Sequence, residues 1–132
     1  MIYFSASAIK ELHARTIKHS GGDAGIRDES KIDLALEQPR KTLAGLQVYA
    51  SLYEKATALG VSILQNRPFV DGNKRVAHFA LATFLRMNGF DIIATVDEQE
   101  KVMLALANNR MDPKHFVAWL RQNSVSMSGS GK

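Results

Sequence analysis

The chain has 132 residues, 45% of them apolar, which is enough for one domain with its own core and implies no second. It has no cysteine, which excludes disulfides, thiolate nucleophiles and cysteine metal sites and is compatible with a reducing cytoplasm. The 17 Lys+Arg against 13 Asp+Glu give a net charge of +4, suited to a phosphorylated or acidic partner.

The cations are scattered, with adjacent pairs only at Arg40-Lys41 and Lys74-Arg75, so no direct nucleic-acid surface is expected. The N-terminal stretch MIYFSASAIK meets charge at Lys10 and offers neither a signal peptide nor a membrane span. A soluble, cytoplasmic protein is the expectation.

In chain order, Ser5 caps a first helix carrying Ile9, Leu12 and Ile17, with Phe4 and Ile9 as a hydrophobic staple and Gly21-Gly22 as its stop. Asp28 caps a short helix with Ile32, Ala35 and Leu36 on one face, ended by Pro39. Residues 40–48 have no period and read as an exposed connection. Leu52, Ala56, Leu59 and Ile63 then mark a helix over about 49–65, and Val76, Phe79, Ala80, Thr83, Phe84 and Met87 mark another, closed by Asn88-Gly89. These two form the expected central hairpin.

A short extended piece at FDIIATV follows. Asp97 with Glu100 reads as the capping box of the next helix, and Asp112-Pro113 opens the last, which carries Phe116, Val117 and Leu120. The prediction is an all-α bundle of about six helices, a single domain over residues 1–123, with a flexible Ser/Gly-rich tail over 124–132.

The stretch between the hairpin helices, QNRPFVDGNKR, carries the chemistry. Asp71-Gly72-Asn73 opens a helix, whose unpaired backbone N–H groups form an anion site. Gly72 permits close approach, Asn73 can cap and donate, and Lys74 and Arg75 supply charge that a triphosphate would neutralise. Asp71 suits Mg²⁺, which bridges carboxylate and phosphate oxygens. An ordinary turn and N-cap is the competing reading of Asp-Gly-Asn, and Phe69 reads as a core anchor. Two cations at a helix start oppose the helix dipole unless an anion compensates, which favours the functional reading. No Walker A loop occurs. His13 and His19 share no face of the first helix, His115 lies in the last helix far from the motif, and all three read as structural or surface residues.

At RPFVDGNKR the chain resembles the signature of the Fic/Doc family, H-x-F-x-[DN]-[GA]-N-[KG]-R, and within it the death-on-curing toxin branch. The GG…GIRDES…LALEQP segment and MNGF extend the resemblance over most of the chain. It implies a compact Fic-like bundle, ATP and Mg²⁺, and a toxin that phosphorylates a threonine of elongation factor Tu, with an antitoxin as partner. Broader relatives transfer AMP instead; they have glycine where this chain has Lys74 and a second arginine where it has His78, so phosphoryl transfer is favoured. Carried over singly, Phe69 resembles the anchoring aromatic, Asp71 the Mg²⁺ ligand, Gly72 and Asn73 the backbone and amide contacts to phosphate, and Lys74 and Arg75 the phosphate-binding cations.

The departure is Arg67, which stands where the family has its catalytic histidine. A histidine there would accept the proton of the attacking hydroxyl, whereas arginine stays protonated and cannot. An inactivating substitution, a natural silent relative that only binds antitoxin, and a working enzyme with another base, Asp71 being nearest, are all compatible with that residue. The pattern [ST]-x-x-x-E-[GN] of a built-in inhibitory helix is absent, so inhibition is expected from a separate polypeptide.

Overall fold

The computed structural model describes residues 1–127. Its elements are α1 (Ala6–Ser20), α2 (Glu29–Glu37), a 3-10 turn (Gln38–Arg40), β1 (Thr42–Leu43), β2 (Leu46–Gln47), α3 (Leu52–Asn66), α4 (Asn73–Met87), β3 (Phe90–Ile92), α5 (Val96–Ala107), α6 (Pro113–Gln122) and β4 (Ser124–Ser126). The fold is mainly helical, as the periodicity predicts. Two small antiparallel pairs, β1 with β2 and β3 with β4, complete it.

Local chemistry explains most of the boundaries. Ser5 accepts from the Ala8 N–H, Asp28 from Ser30 and Asp112 from His115, each relieving an orphan donor at a helix start. Gly21 ends α1 at φ 80°, a conformation that costs a glycine nothing.

Three expectations need correction. The cap of α5 is Thr95, whose hydroxyl accepts from the Glu98 N–H, in place of the Asp97 and Glu100 pair. The central helix starts at Leu52, because Ser51 and Glu54 form a reciprocal capping box there. The tail expected to be flexible from residue 124 begins as a strand: Ser124–Ser126 pair with Phe90–Ile92, supplying partners to backbone groups that the exposed edge of β3 would otherwise leave to water. Residues 128–132 lie outside the described residues.

The hairpin of α3 and α4 is the centre of the core. Ala56, Leu59 and Ile63 of α3 and Val76, Ala77, Ala80, Leu81 and Phe84 of α4 are buried together, closed over by Phe116 and Leu120 of α6. Each large apolar side chain buried this way stabilises the fold by about 1.5–3 kcal/mol. Gly60 sets the spacing of the two helices, since a Cβ there would lie 2.8 Å from Leu81 Cδ2. The hairpin thereby fixes both ends of the loop 67–72. Among the described residues, no helix is long and apolar enough to cross a membrane.

Candidate functional site

The loop between α3 and α4 is shaped first by its own chain. Arg67 ends α3 in the left-handed conformation, φ 46° and ψ 64°, with its N–H donating to Ile63 O at 3.0 Å. A non-glycine residue there stores strain that its surroundings must hold. Pro68 then prevents the helix from continuing.

The surroundings that hold it come from the segment 25–28. The Arg27 guanidinium donates to the carbonyl oxygens of both Arg67 and Asn66. The N–H groups of Arg27 and Asp28 both donate to Pro68 O, at 2.8 and 3.0 Å, and Val70 N–H donates to Gly25 O at 3.0 Å. Ile26 and Phe69 form an isolated antiparallel bridge. A strap of four residues thus grips the loop by its backbone.

Phe69 is 1% exposed and lies flat on the ring of His13, with centroids 3.8 Å apart and planes 8° from parallel. Asn73 is also buried. Its Oδ1 accepts from Phe69 N–H at 3.1 Å and its Nδ2 donates to Phe69 O at 2.8 Å. The amide expected to touch phosphate is therefore already tied to the loop backbone. Its backbone N–H belongs to the first turn of α4, which has no intrahelical partner for such donors.

Asp71, Gly72, Lys74 and Arg75 line a cavity of about 730 Å³ together with Arg67, Asn73 and Gly21-Gly22. Arg67, Lys74 and Arg75 are exposed and form no ion pair among the described residues. The first turn of α4 has no acidic residue to offset the two cations in it. That arrangement is unfavourable to the helix until an anion is present. A cavity of similar size, about 760 Å³, lies between α2, α3 and α6 and includes Lys114 at the start of α6 and Arg121, but that helix start is already capped by the Asp112 carboxylate and Glu54 shares the lining. The start of α4, by contrast, has no side-chain cap, and Arg67, Lys74 and Arg75 all line the cavity beside it.

Asp71 stands at its lip. Oδ2 accepts from the Asp23 N–H at 2.8 Å, while Oδ1 makes no hydrogen bond among the described residues. No group of three or more His, Asp or Glu side chains able to hold a metal occurs among those residues. A magnesium ion at Asp71 would take one protein carboxylate and complete its shell with phosphate oxygens and water, a mode that this ion favours. The donor set fits.

His78 is absent from the cavity lining and meets Gln99 Oε1 of α5 at 2.9 Å. Of the two readings offered for His13, structural or surface, the structure shows the first, and it adds a contact with the motif that the sequence reading did not include. It is 2% exposed, and its Nε2 lies 2.8 Å from Asp71 O, so it belongs to the motif region. The signal was present: residues 9, 13 and 17 recur every four positions, which places His13 on the buried stripe of α1.

The protein is thus of the mainly helical class, with a central hairpin whose connecting loop sets three cations, a carboxylate and a helix N-terminus around one cavity. The profile of the Fic/DOC family matches residues 3–85. A protein named Toxin Doc from Mycolicibacterium smegmatis is 39% identical over 102 residues, covering 76% of this chain and 78% of that protein. The chain belongs to the Fic/DOC family.

Proposed function

We propose that this chain is the toxin of a toxin–antitoxin pair, built to move the γ-phosphoryl group of ATP onto a threonine of elongation factor Tu, and silenced by Arg67. The observation that carries this reading is the 730 Å³ cavity, lined at the start of α4 by Asp71 and by Arg67, Lys74 and Arg75, which form no ion pair among the described residues. The similarity to Toxin Doc supports the toxin role and, with it, a cognate antitoxin.

In the step proposed, the threonine Oγ forms a bond to the γ-phosphorus while the bond from that phosphorus to the β,γ-bridging oxygen breaks. ADP leaves with the electron pair of the broken bond. The hydroxyl proton passes to a base at position 67, the role that arginine cannot take. Lys74, Arg75 and the first amides of α4 hold the phosphates in line and oppose their charge. Asp71 would hold Mg²⁺, which neutralises phosphate charge when bound. Arg67 adds affinity for phosphate while it blocks the approach of the hydroxyl.

Lys74 at the cradle, and His78 turned toward Gln99, favour phosphoryl over AMP transfer. Arg67 itself favours a second reading, a catalytically silent chain that binds antitoxin only. In either case the inhibitory segment is supplied in trans and folds over a groove near the motif. The compartment is the cytoplasm, where ATP and elongation factor Tu are found.

The test uses Arg67→His with elongation factor Tu and ATP labelled at either the γ or the α position. Label arriving from the γ position supports the kinase reading. Arrival from the α position alone would replace it with AMP transfer, and no transfer from either would favour the silent antitoxin-binding chain.

A further inference from the structure

We propose that His13 is a positioning residue of the anion cradle, fixing the Asp71–Gly72 peptide so that the Gly72 N–H points at bound phosphate. The inference rests on reading the α3–α4 cavity as a phosphate site.

The argument starts with the hydrogen bond. A carbonyl oxygen can only accept, so Nε2 of His13, 2.8 Å from Asp71 O, carries a proton and donates it. No peptide bond among the described residues is cis, and in a trans peptide the carbonyl and the N–H point in opposite directions. Holding the Asp71 carbonyl toward α1 therefore turns the Gly72 N–H away from α1. Gly72 and Asp71 both line the cavity.

The second element is rigidity. The His13 ring is clamped flat on Phe69, and Phe69 is tied at both backbone atoms by Asn73, the first residue of α4. Gly72 adopts φ 81° beneath this stack. A Cβ there would lie 3.0 Å from Ile17 Cδ1 and 3.8 Å from two atoms of the His13 ring. Thus α1 sets both the height of the loop and the rotation of one peptide plane. A histidine that merely filled core space would need only the ring. The hydrogen bond to Asp71 O is the part that acts on the cradle.

Two substitutions separate these roles. His13→Phe keeps a flat ring on Phe69 and removes the donor, whereas His13→Gln removes the ring and keeps a donor. Two readouts are taken on the intact chain: the amide proton of Gly72 by NMR without ligand, and Mg·ATP binding by calorimetry. The proposal expects His13→Phe to shift the Gly72 amide and to weaken Mg·ATP binding about tenfold, with His13→Gln recovering most of that loss. Should His13→Phe leave both the Gly72 amide and Mg·ATP affinity at the parent values, His13 is core filler and the proposal falls.

If His13→Phe does not fold, the ring nitrogens of the parent decide, because a proton on Nδ1 alone would overturn the argument and one on Nε2 supports it. Failure of the parent to bind Mg·ATP would sink the phosphate reading of the cavity. The positioning claim would then stand or fall on the Gly72 amide alone.

Discussion

The Arg27 side chain donates from Nε to the carbonyl oxygen of Arg67 at 2.7 Å, so a residue 40 positions earlier holds the left-handed turn that presents position 67. The same guanidinium reaches Asn66 O, and its own backbone N–H reaches Pro68 O. One arginine thereby serves three successive carbonyl groups of the loop.

Arg27→Ala should destabilise the fold by about 1–2 kcal/mol, since it removes two charge-assisted bonds and leaves a strained residue unsupported. Urea unfolding measures this directly. Mg·ATP affinity should fall as well, because the loop that orients the cavity is released. An unchanged midpoint would mean that the backbone bonds of the strap suffice without the side chain.

Gly60→Ala tests the spacing of the central hairpin. The added methyl would lie 2.8 Å from Leu81 Cδ2, so Leu81 must leave its rotamer or the helices must separate. The expected cost is about 1–3 kcal/mol, read as a lowered unfolding midpoint. A neutral result would show that Leu81 yields freely.

Acid should weaken the protein through two helix caps. The carboxyl of Asp28 is held below its ordinary value of 3.8 chiefly by the Ser30 hydroxyl, and that of Asp112 chiefly by the His115 N–H. As the pH falls, the unfolded chain takes up these protons first, so the caps' stabilisation is full above 3.8 and is lost through the lower folded values. Unfolding midpoints taken from about pH 5 down to about pH 2 should fall for the parent and fall less for an Asp28→Asn, Asp112→Asn double variant.

Lys55 behaves in the opposite sense. It is 2% exposed, its Nζ donates to Pro39 O at 2.8 Å, and burial lowers its pKa from 10.5. Between the lowered folded value and 10.5 the unfolded chain binds more protons, so stability rises with pH across that window. Compared with Lys55→Met, the parent should gain stability as the pH rises toward 10.5, as measured by urea unfolding at a series of pH values. Parallel curves for the two proteins would contradict the assignment.

What was legible in the sequence follows from the range of the forces involved. Ser5, Asp28 and Asp112 cap within three residues of themselves, and the stripes of α3 and α4 repeat within one turn, so a short window contains the evidence. The seven residues Phe69–Arg75 were readable as a candidate site for the same reason. The choice between Thr95 with Glu98 and Asp97 with Glu100 was not, because both pairs have capping-box spacing and only tertiary placement selects one. Ser124–Ser126 read as part of a flexible tail, since its strand exists only through pairing with Phe90–Ile92. His13 and Arg27 act on the loop across 58 and 40 positions, a range at which one sequence carries no pairing information.

The transfer rate of three forms of one chain is the most direct test of the central claim that the phosphoryl-transfer apparatus is intact and lacks its base. With γ-labelled ATP and elongation factor Tu, the chain carrying Arg67 should show background transfer. Arg67→His should exceed it by about 10²- to 10⁴-fold, and Arg67→Ala should stay at background. Expression should arrest growth only for the histidine form. Equal transfer by the arginine and histidine forms would contradict the account and place the proton on another residue.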